Sequence, residues 1–259
     1  MKNCVNITWR NGFGNMLFQY VYARLLSEEK GMELTYDRVG RACAASLIQY
    51  GFIKEPDDIV KYDSLLHKME SHIHYSREQA IELENPHHYK PYLDKIRNFF
   101  TKVEKTNYND LVVHMRLGEI GWHSETPFEW YKLAIEQNNI EFDKMYICSD
   151  EPRHDWVNEF KKYYNAEVVS TENILKWEDR NNNLKITIDE FNFMRSFDKI
   201  LFSNSTFSWW ASLLSQASEI YFNSEWQPYH AGGKMRLGET DYDNWVGISP
   251  LSLKEYHRR

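Results

Sequence analysis

A strand, a polar turn and a helix follow one another between residues 199 and 214, and this order strongly constrains the fold. The apolar run 199–202 is typical of a buried strand, residues 203–206 (Ser-Asn-Ser-Thr) form the turn, and apolar residues recur at helical spacing from Phe207 onwards. The first turn of such a helix directs backbone N–H groups outwards, where they bind anions such as phosphate. Ser, Asn and Thr are also the common capping residues, so an ordinary helix cap is the alternative.

The rest of the chain alternates in a similar way. We predict strands at 5–9, 32–36, 111–117, 144–148, 166–170, 199–202 and 219–222, the last being the final strand of the chain. We predict helices at 15–30, 89–106, 127–138, 153–162 and 188–197, besides the helix that starts near residue 206. Strands that alternate with helices indicate parallel sheets with right-handed crossovers, the doubly wound α/β class. A domain boundary is predicted between residues 106 and 107, which gives domains 1–106 and 107–259.

Local signals set several helix ends. Gly31 follows Lys30 as a helix stop. Thr126-Pro-Phe-Glu129 has the pattern of a capping box with proline at the first helical position, and Thr187 is the predicted cap of the helix at 188–197. Apart from the helix at 89–106, residues 40–110 show no pattern that predicts an element.

Composition excludes several classes of protein. The net charge is −7 and no run of Lys or Arg reaches five residues, so we expect no nucleic-acid partner. No apolar run approaches the roughly 18 residues of a membrane span, and the N-terminus lacks a signal-peptide core. Three widely separated cysteines do not indicate a disulfide framework, which fits a reducing cytosol. We therefore expect a cytoplasmic protein that would reach a membrane-linked substrate only peripherally; the sequence indicates no oligomeric state.

A second polar segment lies at 111–119. On a strand, His114 and Arg116 share one face, and Gly118 ends the strand, so the pair lies near the carboxyl end where open α/β sheets bind ligands. The arginine fork of donors suits a diphosphate. Glu119 lies within reach of the same crevice. A structural polar pair with a neighbouring carboxylate is an equally good interpretation of His114 and Arg116.

The glycine-containing turn near the N-terminus supports a dinucleotide-binding loop only weakly. Gly12 and Gly14 are present, but Leu17 occupies the place of the third glycine, and no acidic residue follows at the expected distance. The tight turn would still bring its backbone and Asn15 close to a ligand.

Asp189 lies near the start of the predicted helix at 188–197. Its carboxylate could accept hydrogen bonds from a purine base. Taken alone, a carboxylate that complements the helix dipole is the simpler interpretation.

Signals for metal binding and for other enzyme classes are weak. Two histidine pairs lack a spaced third ligand: His72 with His74, and His87 with His88. Asp241 and Asp243 resemble the acidic pair of metal-dependent sugar transferases, but they do not follow a predicted strand. The sequence contains no Gly-x-Ser-x-Gly elbow and no Walker loop, which counts against hydrolases and P-loop kinases. We expect no metal and no cofactor.

Four segments together resemble the bacterial α-1,2-fucosyltransferase family, glycosyltransferase family 11. They are Gly12-Phe-Gly-Asn-Met-Leu-Phe-Gln-Tyr20, His114-Met-Arg-Leu-Gly-Glu119, Tyr146-Ile-Cys-Ser-Asp150 and Ser203-Asn-Ser-Thr-Phe-Ser-Trp-Trp-Ala211. They occur in the family's order and span most of the chain, and the last is long and specific.

The resemblance implies a GT-B-like fold of two facing Rossmann-type α/β domains, with the acceptor side in the first domain and the nucleotide sugar in the second. It implies metal-independent transfer of L-fucose from GDP-fucose, with inversion, to a glycan hydroxyl. The implied donor-binding residues are His114, Arg116, Asp189, Asn204, Ser205, Thr206 and Phe207. Among them, Arg116 contacts the diphosphate and Asp189 reads the guanine. Arg116, Glu119 and Asn15 are the implied catalytic residues, with Glu119 close to the acceptor.

Three residues depart from the family pattern. Leu117 replaces a second arginine, Glu119 replaces an aspartate and Met16 replaces a glutamine. These departures keep two alternatives open: the same fold with another nucleotide sugar, such as a rhamnosyl donor, and a homologue that binds a nucleotide or glycan without catalysis.

Overall fold

The computed structural model describes residues 1–9, 12–37, 47, 50–53, 59–74, 79, 82–118, 126, 128–169, 184–225 and 237–249. The chain divides into two compact units. One comprises Met1–Lys102 with Leu175–Asp189, and the other comprises Val103–Ile174 with Glu190–Arg259. The residues 101–106, which form neither helix nor strand, follow the first sheet and precede the second.

The first unit is built on a parallel sheet with the strand order β3-β2-β1-β4. Its elements are β1 (Lys2–Thr8), α1 (Phe13–Lys30), β2 (Glu33–Tyr36), β3 (Ile59–Lys61), β4 (His67–His74), α2 (Pro86–Tyr89), a 3-10 turn (Lys90–Tyr92) and α3 (Leu93–Phe99). Val5 and Ile7 of β1 and Leu17 and Val21 of α1 are fully buried, so the sheet and this helix share one apolar core.

Gly31 ends α1 as predicted. Its φ of 63° lies in the left-handed region, which costs glycine little because it has no Cβ. The N–H of Gly31 donates to the carbonyl of Glu28, and the N–H of Met32 donates to the carbonyl of Ser27. These two bonds close the helix and direct the chain into β2.

The second unit is built on a larger parallel sheet with the order β10-β9-β8-β5-β6-β7. Its elements are β5 (Asn107–Met115), α4 (Phe128–Gln137), β6 (Met145–Ser149), α5 (Asp155–Tyr164), β7 (Glu167–Val168), α6 (Leu184–Arg195), β8 (Phe197–Phe202), α7 (Thr206–Leu213), β9 (Glu219–Asn223), a 3-10 turn (Leu237–Glu239) and β10 (Trp245–Ile248). Residues of α6 up to Asp189 belong to the first unit. The predicted α/β class with two parallel-sheet, Rossmann-type units is therefore confirmed.

Several predictions of local structure are wrong, and two strands were missed. The helix predicted at 89–106 ends at Phe99, because Phe100 forms an antiparallel bridge with Ile53 and the N–H of Thr101 donates to the carbonyl of Phe52. The polar strand β4 and the short strand β3 were not predicted at all. β9 is not the final strand, since β10 pairs with it.

The predicted helix cap at Thr187 is also wrong. This residue lies inside α6, which begins at Leu184, so Thr187 does not cap the helix. The helix also ends at Arg195, two residues before its predicted end, and Phe197 begins β8. Pro127 of the predicted capping box at 126–129 lies outside the described residues.

Within the described ranges, no helix is both long enough and apolar enough to cross a membrane.

Candidate functional site

The carboxyl ends of three neighbouring strands of the second unit form the candidate site. β5 lies between β8 and β6, and the registers place His114 beside Phe202 of β8 and Cys148 of β6. Parallel strands end at the same edge of a sheet. The segments that follow β5, β6 and β8 therefore meet there, and each carries polar side chains.

The carboxylate of Asp150, which follows β6, binds three groups of the segment after β5. Its Oδ1 accepts a hydrogen bond from the N–H of Leu117 at 2.8 Å, and its Oδ2 accepts one from the N–H of Gly118 at 3.0 Å. Oδ2 also lies 2.5 Å from Nη1 of Arg116. Only 18% of the Arg116 side chain and 9% of the Asp150 side chain are exposed, so water screens this ion pair less than a surface pair.

The sequence offered a neighbouring carboxylate as the alternative partner of Arg116, and Asp150 fills that role in the structure. The ion pair engages Nη1 of a guanidinium that has five N–H donors. Pairing with Asp150 therefore orients the Arg116 guanidinium.

Gly118 is required by the same carboxylate. A Cβ at this position would overlap Oδ2 of Asp150, so a larger residue would displace the acid or break its bond to the backbone. The sequence indicates Gly118 only as the end of a strand, whereas the structure gives a steric reason for a glycine at this position.

Ser203 joins the ends of β8 and β5. Its N–H donates to the carbonyl of His114 at 3.3 Å, and its Oγ accepts from the N–H of Arg116 at 3.2 Å. The Tyr131 side chain of α4 hydrogen-bonds the Ser203 side chain. Burial raises the pKa of the Tyr131 phenol above its ordinary value. The backbone around Arg116 is thus held from both neighbouring strands.

His114 lies beneath the edge rather than on it. It is only 5% exposed, its Nδ1 lies 2.8 Å from Oγ of the fully buried Ser208, and its ring centroid lies 5.8 Å from that of Phe207. Burial lowers the pKa of His114 to about 4, with Asp150 opposing and Arg116 reinforcing the shift. His114 is therefore neutral at physiological pH and connects β5 to α7.

Helix α7 begins at the same edge. Ser205 is its N-cap in an extended conformation and its side chain makes no capping hydrogen bond, unlike the capping hydroxyl that the sequence offered as an alternative. The first helical bond joins the N–H of Trp209 to the carbonyl of Ser205. The N–H groups of Thr206, Phe207 and Ser208 therefore have no acceptor inside the helix. Asn204 and Ser205 are buried in the turn.

The remaining predicted site residues lie elsewhere or outside the described residues. Asn15 lies in the first turn of α1, and Asp189 is an exposed residue of α6 whose Oδ2 lies 2.5 Å from Nζ of Lys185; both belong to the first unit. Glu119 lies outside the described residues.

In the described part of the chain, no group of three His, Cys, Asp or Glu side chains is placed to hold a metal ion. Asp241 and Asp243 are exposed and precede β10.

Sequence reasoning missed the roles of Asp150, Ser208 and Tyr131. Asp150 could have been found, because it directly follows a predicted strand and parallel strand ends share an edge. Ser208 and Tyr131 carry no such signal. Both lie in apolar helical patterns, and only the packed sheet shows that they contact the ends of β5 and β8.

This chain is similar to known proteins in structure, not in sequence. No family model matches the chain, and no curated protein matches it. The fucosyltransferase NodZ from Bradyrhizobium is similar over 85% of this chain and 94% of its own, at 12% identity and a TM-score of 0.49. The glycosyl transferase family 9 protein from Veillonella parvula is similar over 99% and 88%, at 9% identity and a TM-score of 0.49.

A mutant of Arabidopsis thaliana FUT1 in complex with GDP is similar over 85% of this chain and 70% of its own, at 9% identity and a TM-score of 0.43. These low values transfer no site residue and no substrate to this chain.

The buried neutral state of His114 predicts a pH-dependent stability. Between about pH 6.5 and 4 the unfolded chain binds a proton at His114 that the folded chain does not, so stability falls as pH drops through this window. This pKa shift of His114 corresponds to roughly 3 kcal/mol of unfolding free energy. Urea titrations at several pH values should show a shallower acid loss for His114→Gln than for wild type.

His87 is exposed and provides the matched control. The His87→Gln variant should keep the wild-type slope. Equal slopes for wild type and His114→Gln would mean that His114 is not buried in its neutral form.

Proposed function

We propose that this chain is an inverting, metal-independent glycosyltransferase that moves L-fucose from GDP-fucose to a glycan hydroxyl, in an α-1,2 linkage to a galactoside. One observation carries the proposal: an oriented arginine and the start of a helix lie at the same carboxyl edge of a parallel sheet. In open α/β sheets this edge is where ligands bind. The arginine and the helix start both favour the binding of an anion.

Arg116 is suited to a diphosphate because its guanidinium is shielded and fixed. Asp150 holds one nitrogen, and Ser203 and Asp150 hold the backbone on either side of it. A planar fork binds phosphate oxygens through two parallel hydrogen bonds, which a lysine cannot reproduce. The ion pair with Asp150 supplies the orientation before the donor binds, which lowers the entropy cost of binding.

The start of α7 supplies the second half of the phosphate site. Its first-turn N–H groups carry the positive end of the helix dipole. Ser205 and Thr206 would bind phosphate oxygens there. As the sugar carbon departs, charge grows on the GDP phosphate, and preoriented donors stabilise it more than they stabilise the intact donor. Arginine and N–H groups would then take the part that a metal takes in other transferases.

The remaining assignments follow the family resemblance. Asp189 would accept hydrogen bonds from guanine. Glu119 would accept the proton of the acceptor hydroxyl or orient Arg116, and Asn15 would contact the reacting groups. Phe207, packed between His114 and Phe191, would line the nucleotide site.

One observation favours the alternative of a non-catalytic homologue. Leu117, at the position of the family's second arginine, is 8% exposed and packs in the apolar core of the second unit. A thermal-shift panel of nucleoside diphosphates and their sugars identifies the donor, since a specific ligand raises stability by mass action. Release of GDP from GDP-fucose without acceptor distinguishes an enzyme from a binding protein.

Arg116→Lys should weaken GDP binding by roughly 1.5–3 kcal/mol, because the charge remains but the fork is lost. Isothermal titration calorimetry measures the change. The matched control is Arg97→Lys, an exposed arginine of α3. Equal GDP affinity in the Arg116→Lys and Arg97→Lys variants would exclude Arg116 as the diphosphate ligand.

Asp189→Asn should reduce the preference for GDP over ADP. Guanine presents two donors, N1–H and the exocyclic amine, that a carboxylate accepts, whereas adenine presents no such pair on that edge. Competition titrations with both nucleotides measure the ratio, and Asp94→Asn, at an exposed acid of α3, serves as control. A wild-type chain without preference would leave Asp189 with only its Lys185 ion pair.

Transfer from GDP-fucose should be unaffected by EDTA. The proposed leaving-group stabilisation uses Arg116 and backbone N–H groups, which a chelator does not remove. Turnover is measured before and after treatment, with and without added Mn²⁺. Activity that EDTA abolishes and Mn²⁺ restores would assign a metal role to Asp241 and Asp243 and exclude the metal-independent mechanism.

A further inference from the structure

A cavity of about 290 Å³ lies on the flank of the first unit, between α1 and the edge strand β4. We call it the flank cavity. Its lining includes residues of α1, of β4 and of the segment before α2, namely Tyr22, Leu26, Ser71, Ile73, Glu82 and Leu83. The volume is close to the lower limit of about 300 Å³ for small-molecule sites. No step of the proposed function uses these six residues.

The inner wall of the flank cavity is apolar. Ile73 and Leu83 are 5% and 1% exposed, and Leu26 is half-buried. They come from β4, the segment before α2 and α1, so three parts of the fold close this wall. An apolar group that fills the space between them would leave water, which favours its binding.

The mouth of the flank cavity carries a carboxylate in a fixed position. Glu82 is exposed, and its Oε1 accepts a hydrogen bond from the phenol of Tyr22 at 2.5 Å. The Tyr22 ring in turn stacks on the ring of His88 in α2, with the centroids 6.3 Å apart. Among the described residues, no lysine or arginine pairs with Glu82. Its negative charge is therefore available to a ligand.

The electrostatic potential at this mouth is negative. Burial raises the pKa of the Tyr22 phenol, and the carboxylates of Glu82 and Glu29 raise it further. Neighbouring negative charge disfavours an anionic phenolate in this way. The same charge repels an anionic ligand and attracts a cationic one.

The wall formed by β4 is fixed although β4 is an edge strand. The side-chain amide of Gln79, which also lines the cavity, accepts from the N–H of His74 at 2.9 Å and donates to the carbonyl of His72 at 3.1 Å. The amide thus pairs with the strand as a neighbouring strand would. A cavity with fixed walls loses little conformational freedom when a ligand enters.

We propose that the flank cavity binds a small organic ammonium ion, with the ammonium group at Glu82 and the apolar body against Leu26, Ile73 and Leu83. The ammonium group remains at the exposed mouth and keeps part of its hydration, so the ion pair avoids the full cost of burying a charge. Tyr22 is a positioning residue, because it holds the carboxylate. The inference is independent of glycosyl transfer, since neither the sugar donor nor its acceptor enters this cavity.

A pair of ligands of the same shape tests the charge requirement. The probes are 2-phenylethylamine, which is a cation at neutral pH, and 2-phenylethanol, which is neutral; ligand-observed NMR titration gives the dissociation constants. We expect wild type to bind the amine about fivefold more tightly than the alcohol, the value of an ion pair near the protein surface.

Two variants assign this preference to the cavity mouth. Glu82→Gln keeps the size of the side chain and removes its charge, so it should bind the amine no better than the alcohol. Tyr22→Phe keeps the ring and removes the hydrogen bond to Glu82, so it should lower the amine preference while leaving the affinity for the alcohol unchanged. The matched control is Asp94→Asn, at an exposed acid of α3, which should behave like wild type.

Three results would overturn the inference: a wild type that does not bind the amine, equal affinity of wild type for the amine and the alcohol, or equal amine affinity in the Glu82→Gln and Asp94→Asn variants. Thermal melts verify that each variant is folded. GDP affinity is measured in the same samples and should be unchanged in all of them. Failure of the proposed function appears separately, as a wild type that neither binds GDP nor turns over GDP-fucose.

Discussion

The second unit depends on one carboxylate to shape its sheet edge. Asp150 accepts hydrogen bonds from two consecutive backbone N–H groups, those of Leu117 and Gly118, and pairs with Arg116 through the same oxygen that binds Gly118. The chain after β5 must therefore curve around the end of β6. Removing the acid would leave the Leu117 and Gly118 N–H groups and the shielded Arg116 guanidinium without these contacts. The free energy of unfolding would fall by more than the net stabilisation from the bonds, because the remaining partners would stay desolvated.

Beneath this edge, the packing depends on His114 remaining neutral. Its bond to Ser208 connects β5 to α7, and Phe207 lies between the rings of His114 and Phe191. A charged imidazole at this depth would be poorly solvated, which is why burial lowers its pKa. The position of the α7 N-terminus is thus coupled to the charge state of a residue on the central strand, and we expect acid to weaken the packing of both.

The sequence predicts those parts of the fold that leave a local signal. β6 and the carboxyl-terminal halves of β5 and β8 are mostly apolar because central parallel strands are buried on both faces there, and Gly31 marks a left-handed residue. β4 leaves no such signal: it is an edge strand with polar side chains, held by pairing with β1 and by Gln79. The partnership of Asp150 with Arg116 joins residues 34 positions apart and follows from the strand order, which the sequence alone does not determine.

The carboxyl edges of the two sheets carry different hydrogen-bonding groups. At the end of the second sheet, a guanidinium and the N–H groups of a helix start are donors. At the end of the first sheet, the Asp37 carboxylate accepts hydrogen bonds from Asn6 and Thr8. In each unit a buried network fixes the charged group, since Asn6 and Thr8 hold Asp37 and Ser203 holds the backbone of Arg116, so the fold itself sets the geometry of each edge.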